Sequence, residues 1–138
     1  MAKTKMRILI DTHIFLWILG GRKLKPKVKE FFEDTDQYAI WVSHVVAWEI
    51  AIKFGIGKLQ LPEPPDIFVP DRVRRAGFHY LPIELQHVLN VHNLPPIHRD
   101  PFDRLLVSQA KIENLTVLTA DSHFGRYGVK TLTLDDIS

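Results

Sequence analysis

Four acidic residues stand where a carboxylate needs an outside reason. Asp11 ends the aliphatic run Ile8-Leu9-Ile10, and Asp121 ends Val117-Leu118-Thr119-Ala120. Glu49 interrupts the apolar stretch from Val45 to Ile52, and Asp103 opens the helix-like Leu105-Leu106-Val107-Ser108-Gln109-Ala110. Carboxylates gathered by folding repel one another and take up protons unless a hard cation neutralises them. The pattern points to one oxygen-lined metal site, provided the fold brings these positions together.

Each acid also has a plainer reading. Asp11 or Asp121 alone is a common turn or helix-capping residue. Glu49 has Lys53 four residues on, the spacing of an ion pair on a solvated helix face. Asp100 before Pro101 is a strong helix start, and Asp103, three residues after that cap, is a favourable first-turn acid. Seven histidines show no His-x-x-His or His-Glu-x-x-His spacing, so local spacing gives a zinc site little support. Arg72, Arg74 and Arg75 form a basic cluster, read first as a solvated helix face. Trp17, Trp41 and Trp48, with Phe31 and Phe32, are spaced among aliphatics as core or partner-interface residues rather than as a base-stacking platform.

The elements that must position these residues read as one α/β layer structure, a single domain over residues 1–138. With 46% hydrophobic and 25% charged residues, the chain is long enough to bury a core, and the composition excludes disorder. The absence of cysteine excludes disulfides, thiolate metal sites and a catalytic thiol. A net charge of +2 is compatible with a polyanionic partner without demanding one. No apolar run approaches the ~20 residues of a membrane span, and Met1 to Lys5 leads into a strand rather than a signal-peptide core, so a cytoplasmic protein is expected.

Along the chain, 7–11 reads as a buried first strand, with Thr12 capping a helix over 14–19. A helix over 26–33 follows, then a strand over 38–42, with Ser43 as N-cap of a helix through Phe54 that carries Glu49. Residues 66–76 read as one helix broken or begun by Pro70 and ended by Gly77. A strand over 78–81, a helix over 84–91, a loop over 93–99, a helix from Asp100-Pro101 to about Asn114, and strands over 116–118 and 129–132 complete the alternation. Such units imply right-handed crossovers and place ligands outside the carboxyl ends of the strands.

Four segments together resemble the PIN-domain family, and within it the VapC-like toxins of toxin–antitoxin pairs. They are Leu9-Ile10-Asp11-Thr12-His13 with Trp17; Ser43 and Trp48 to Lys53 with Gly57-Lys58-Leu59; His98 to Leu106; and Leu118-Thr119-Ala120-Asp121. The resemblance spans nearly the whole chain. It implies a three-layer α/β/α fold with a mostly parallel central sheet, and a Mg²⁺- or Mn²⁺-dependent endoribonuclease restrained by a cognate antitoxin. By motif position, Asp11, Glu49, Asp103 and Asp121 match the family's acidic metal-site residues, and Asp100 is a further acid of the subgroup. The chain departs from the pattern after Asp121: many relatives carry another acid there, where this sequence reads Ser122-His123-Phe124.

In that chemistry a divalent ion stabilises charge on the phosphoryl oxygens and orients or deprotonates water. Mg²⁺ keeps several waters beside one or two carboxylates. Asp11 and Asp103 are therefore expected as main ligands, Asp121 as support for a second ion or bridging water, and Glu49 as acting through water. Thr12, Ser43, His13 and His98 are expected near the substrate or behind the ligands, and Arg99 and Arg104 as phosphate contacts. RNA, an antitoxin and a second copy of the chain are the expected partners, with Glu30 to Phe32 or Trp48 to Phe54 supplying the homodimer surface. Two other classes remain open. One is a non-catalytic RNA- or protein-binding module of the same fold. The other is a phosphatase using an acid at the end of the first strand, disfavoured because His13 occupies the position of its second acid.

Overall fold

Runs of consecutive buried residues show where the sheet lies. Strand side chains alternate between faces, yet Ile8, Leu9 and Ile10 are all completely buried. β1 (Met6–Ile10) is therefore covered on both sides. The same holds for Val117, Leu118 and Thr119 of β4 (Thr116–Thr119). The structure is a computed structural model that describes residues 4–137; Met1 to Lys3, Ser138 and the side chain of Ser122 lie outside the described residues.

Five strands form one sheet in the order β3-β2-β1-β4-β5, every neighbouring pair parallel. β2 is Tyr38–Ser43, β3 is His79–Leu81 and β5 is Thr131–Thr133. The helices between them are α1 (Thr12–Leu19), α2 (Pro26–Glu33), α3 (His44–Gly55), α4 (Pro65–Ala76), α5 (Leu85–Leu89) and α6 (Pro101–Glu113), with a short α7 (Leu134–Ile137) after β5. A parallel sheet covered by helices on both faces is the expected α/β/α architecture. Among the described residues, no helix is long and apolar enough to cross a membrane.

Local chemistry sets most boundaries. Ser43 Oγ accepts from Val45 N to start α3, and Gly77, at φ 70°, ends α4 in the left-handed conformation that glycine tolerates best. Several expectations are corrected. Asp11, not Thr12, caps α1: its Oδ1 accepts from Ile14 N at 2.8 Å, leaving Thr12 as the first helical residue. Pro70 neither begins nor breaks α4, because Phe68, Val69 and Val73 around it are buried and hold the helix through the missing hydrogen bond. The 84–91 helix is shorter and passes into a 3-10 turn at Asn90–Asn93, and the last strand lies at Thr131–Thr133. Phe31 and Phe32 are buried, so they cannot offer an apolar partner surface.

Candidate metal centre

The strand order reverses direction between β1 and β4. From β1 the chain builds outward through β2 and β3, then crosses back to lay β4 on the other side of β1. The loops leaving β1 and β4 diverge there, opening a crevice at the carboxyl ends of two adjacent strands. Register puts Ile10 beside Leu118, so Asp11 and Thr119 come next, and Thr119 Oγ1 donates to Asp11 Oδ2 at 2.6 Å. Both Asp11 oxygens are thus fixed, one by Thr119 and one by the start of α1. Burial pushes the Asp11 carboxyl above the usual carboxylate range, although both hydrogen bonds and the His13 charge pull it down.

Two further elements point acids at this crevice. Glu49 of α3 is buried rather than on a solvated face. Thr12 Oγ1 donates to its Oε1 at 2.5 Å, and Lys53 Nζ donates to its Oε2. Lys53 is half-exposed; its bond to Glu49, and then the charges of Glu49, Asp100 and Asp103, hold its ammonium above the ordinary lysine range. The i,i+4 pair thus exists within the site. Asp100 caps α6, accepting from Phe102 N and Asp103 N, and Asp103 projects from the first turn. Burial, then the nearby charge of Asp100, pushes Asp103 up to about 6; Glu49 and Asp11 add to the shift and His123 opposes it. Asp103, Asp100, Glu49 and Asp11 therefore share one electrostatic neighbourhood.

Asp121 sits differently. Its side chain is 57% exposed, its Oδ1 accepts from His123 N at 3.2 Å, and the same oxygen lies 2.5 Å from His123 Nδ1. Burial raises its pKa slightly, but the bonds from His123 and the charges of His123 and His98 hold it below the usual range. The ligand atoms that come within 4.8 Å of one another around the crevice are those of His98, Asp103 and His123, not those of the four acids alone. His123 Nε2 lies 3.4 Å and His98 Nδ1 4.0 Å from Asp103 Oδ2, and the two imidazoles stack at 4.2 Å and 7°.

The remaining expected residues divide. Thr12 and Thr119 orient carboxylates, and His13 and Arg99 are exposed. Ser43 instead donates to Gln109 Oε1 at 2.5 Å inside the fold. Arg104 is spent on main-chain carbonyls: Nη1 donates to Pro95 and His98, and Nη2 to Val91 and Leu94. It pins the 91–98 loop, with Tyr127 Oη accepting from His98 N at 2.9 Å. Arg72, Arg74 and Arg75 all pair with Asp71. A groove of about 840 Å³ runs past Ile18, Leu24, Phe32 and Phe78 and includes none of the four acids. His123 and Thr119 were the residues missed as site members. The available signal was a histidine near an acid in each of two segments, His98 five residues before Asp103 and His123 two residues after Asp121.

The PIN-domain model matches residues 8–130. Ribonuclease VapC16 of Mycobacterium tuberculosis is 44% identical over 54 residues, a match spanning 39% of this chain and only 37% of that relative's length. Among solved structures, VapBC2 from Rickettsia felis, bound to a promoter DNA fragment, aligns with a TM-score of 0.70 at 16% identity over 93% of this chain and 98% of that one. DNA-bound VapBC from Salmonella typhimurium gives 0.66 at 19% identity over 93% and 98%, and FitAcB from Neisseria gonorrhoeae 0.61 at 19% over 91% and 96%. At these identities the structural likeness speaks for the fold alone. The family match covers the strand ends, the α3 and α6 acids and the crevice between them, and the chain belongs to the PIN-domain family.

Proposed function

We propose that this protein is a divalent-metal-dependent endoribonuclease, the VapC-like toxin of a toxin–antitoxin pair, hydrolysing RNA phosphodiester bonds at the crevice between β1 and β4. The observation that carries this reading is that Asp11 from the end of β1, Glu49 from α3 and Asp103 from the first turn of α6 are gathered at one crevice, close enough that Glu49 and Asp11 add to the burial and the Asp100 charge that push Asp103 up to about 6. Three of the four acids lie largely within the protein, with too few protein cations around them; such charge fits a site completed by a hard cation. Asp11 and Asp103 are its proposed ligands, and Mg²⁺ or Mn²⁺ its proposed ion.

When bound, such an ion stabilises developing phosphoryl charge and lowers the pKa of a water. The chain's own residues do the rest. Thr119 and the first turn of α1 hold Asp11 in one orientation. Thr12 and Lys53 hold Glu49, where its carboxylate can accept a proton from water. Exposed Arg99 and half-exposed Lys53 offer positive charge for the RNA backbone. Similarity to a relative named as a ribonuclease supports the substrate class.

The solved relatives in complex support a protein partner, and an antitoxin segment is proposed to cover the crevice, its Arg pairing with the carboxylates. If co-purified antitoxin left cleavage and metal affinity unchanged, occlusion of the crevice would be wrong. A homodimer is also proposed, through the exposed face of α3.

The deciding experiment is cleavage of a structured RNA pool by antitoxin-free protein with Mg²⁺, with Mn²⁺ and with chelator, beside folded Asp11→Asn. Metal-dependent cutting lost in Asp11→Asn is expected. Cutting that survives in Asp11→Asn sinks the assigned site, and no cutting by folded wild type favours a non-catalytic binding module.

A further inference from the structure

His123 is held in the arrangement that metal-ligating histidines adopt. Its Nδ1 faces Asp121 Oδ1 at 2.5 Å, so a neutral ring carries its N–H on that side and leaves the lone pair on Nε2. A ligating imidazole almost always hands its other N–H to a carboxylate in this way, which fixes the tautomer and makes the free nitrogen more basic. Nε2 is buried, has no hydrogen-bond partner, and faces Asp103 Oδ2 at 3.4 Å. This buried, unpartnered nitrogen and the carboxylate oxygen it faces form a pair of donor atoms that a cation could share. Donor bonds of about 2.0–2.2 Å on a tetrahedral ion separate the donor atoms by about 3.4 Å, so the observed gap admits a metal without rearrangement.

Surrounding contacts lock the ring. His98 stacks on it at 4.2 Å and Phe124 at 4.7 Å, while Arg104 and Tyr127 hold the His98 backbone. His98 Nδ1 is within 4.0 Å of Asp103 Oδ2 but already accepts from Asp100 N at 3.0 Å. It joins an ion only by releasing that bond, and ranks as a weaker third donor. A second cluster, Glu84, His87 and Glu113, lacks this character: His87 Nδ1 accepts from Glu84 N and Nε2 bonds Glu113, both at 3.0 Å, so neither nitrogen is free.

We propose that His123 Nε2 and Asp103 form a mixed nitrogen–oxygen metal position, with Asp121 as the residue that orients His123 rather than a ligand, so that the centre favours a later transition ion such as Co²⁺ or Zn²⁺ over Mg²⁺. Imidazole suits the later transition ions, whereas Mg²⁺ keeps to carboxylate and water oxygen; Mn²⁺ serves as the spin probe that reports any nitrogen donor. The inference rests on the reading of Asp103 as a metal ligand, but not on cleavage of RNA.

The test uses the full, metal-stripped chain. Mn²⁺-loaded protein is examined by electron spin-echo envelope modulation for imidazole ¹⁴N, and Co²⁺ and Mg²⁺ affinities are measured by calorimetry for wild type, His123→Gln, Asp121→Asn and Asp11→Asn. Imidazole modulation is expected in wild type and Asp11→Asn and absent in His123→Gln. Asp121→Asn, at an exposed side chain, should weaken Co²⁺ by about 10–100-fold and Mg²⁺ far less, which keeps the proposal testable if His123→Gln fails to fold. Mn²⁺ bound without ¹⁴N modulation, or Co²⁺ and Mg²⁺ weakened equally by Asp121→Asn, overturns the nitrogen position and leaves the carboxylate centre standing. No ion bound by folded wild type overturns both. Modulation present without RNA cleavage upholds this position and removes the nuclease reading.

Discussion

A carboxyl held protonated up to about pH 6 makes a metal-free protein less stable at neutral pH, and Asp103 is such a group. Below its ordinary pKa of 3.8, folded and unfolded chains both carry the proton and the group contributes nothing. Between 3.8 and about 6 the folded chain holds a proton that the unfolded chain releases, so stability falls as pH rises. Above that window the full cost applies, at most about 3 kcal/mol at ~1.4 kcal/mol per pKa unit and less once solvent screening of this partly exposed group is counted. Asp103→Asn should therefore unfold at a higher denaturant concentration than wild type at pH 7.5, with little difference at pH 4. An equal difference at both pH values would show that charge is not the cause. Added Mn²⁺ should raise wild-type stability at pH 7.5 and leave Asp103→Asn nearly unmoved. Thr119→Val removes the hydroxyl that fixes Asp11 Oδ2; metal affinity should fall about tenfold with the fold intact, and an unchanged affinity would make Thr119 a packing residue only. That Asp11, Glu49 and Asp103 share a neighbourhood could be expected from the sequence because each sits against an apolar run, even though each also has a local use in a cap, an ion pair or a first helical turn. The place of His123 could not, since two of its neighbours, Asp103 and His98, come from another part of the chain and its own spacing matches no metal motif.

The elements that present these groups differ in how they are held. α1, α3 and α6 begin with side-chain caps at Asp11, Ser43 and Asp100; the Ser43 and Asp100 starts could be read because a cap is local chemistry. At α1 the sequence favours Thr12 as the cap and keeps capping by Asp11 only as the plainer alternative, because the same aspartate reads as the end of the strand; the alternative is the one observed. The loop before α6 has no repeating hydrogen bonds and depends on Arg104, which donates to the carbonyls of Val91, Leu94, Pro95 and His98. Nothing local marks that role, since the acceptors lie up to thirteen residues away. Replacing Arg104 with Ala should cost about 2–4 kcal/mol, as several carbonyls lose a charged donor. It should also speed amide exchange across 91–98 ahead of global unfolding. Arg104→Lys, with one ammonium for a planar fork, should recover less than half of that loss. If Arg104→Ala instead lost RNA affinity with loop exchange unchanged, the arginine would belong to the substrate after all.

At the scale of the whole molecule, sequence periodicity foretells alternating strands and helices but not the order β3-β2-β1-β4-β5, which depends on pairing between segments over a hundred residues apart. Surfaces are equally hidden, because an apolar residue looks the same in sequence whether it faces the core or a partner. The Glu30 to Phe32 segment turned its aromatics inward, whereas Trp48, Ile52 and Ile56 stand 48%, 39% and 61% exposed at i,i+4 spacing along α3 and its end. A second apolar patch lies on α5, with Leu85, Val88 and Leu89 exposed. The α3 stripe is the stronger choice for a symmetric dimer, since Trp48 is a large, rigid anchor already braced edge-on by Phe102 at 4.8 Å. Light scattering should give wild type about twice the 16.0 kDa chain mass. Ile52→Glu, which places a charge in the middle of the stripe, should return the single-chain mass, while Leu89→Glu leaves the dimer intact. The reverse pair of results would move the interface to α5, and a monomeric wild type at micromolar concentration would leave both patches to another protein. Glu49 and Lys53 lie on the same helix as the stripe, so dimerisation through α3 would brace the crevice from behind. Ile52→Glu should then weaken metal binding as well as assembly, even though it touches no ligand.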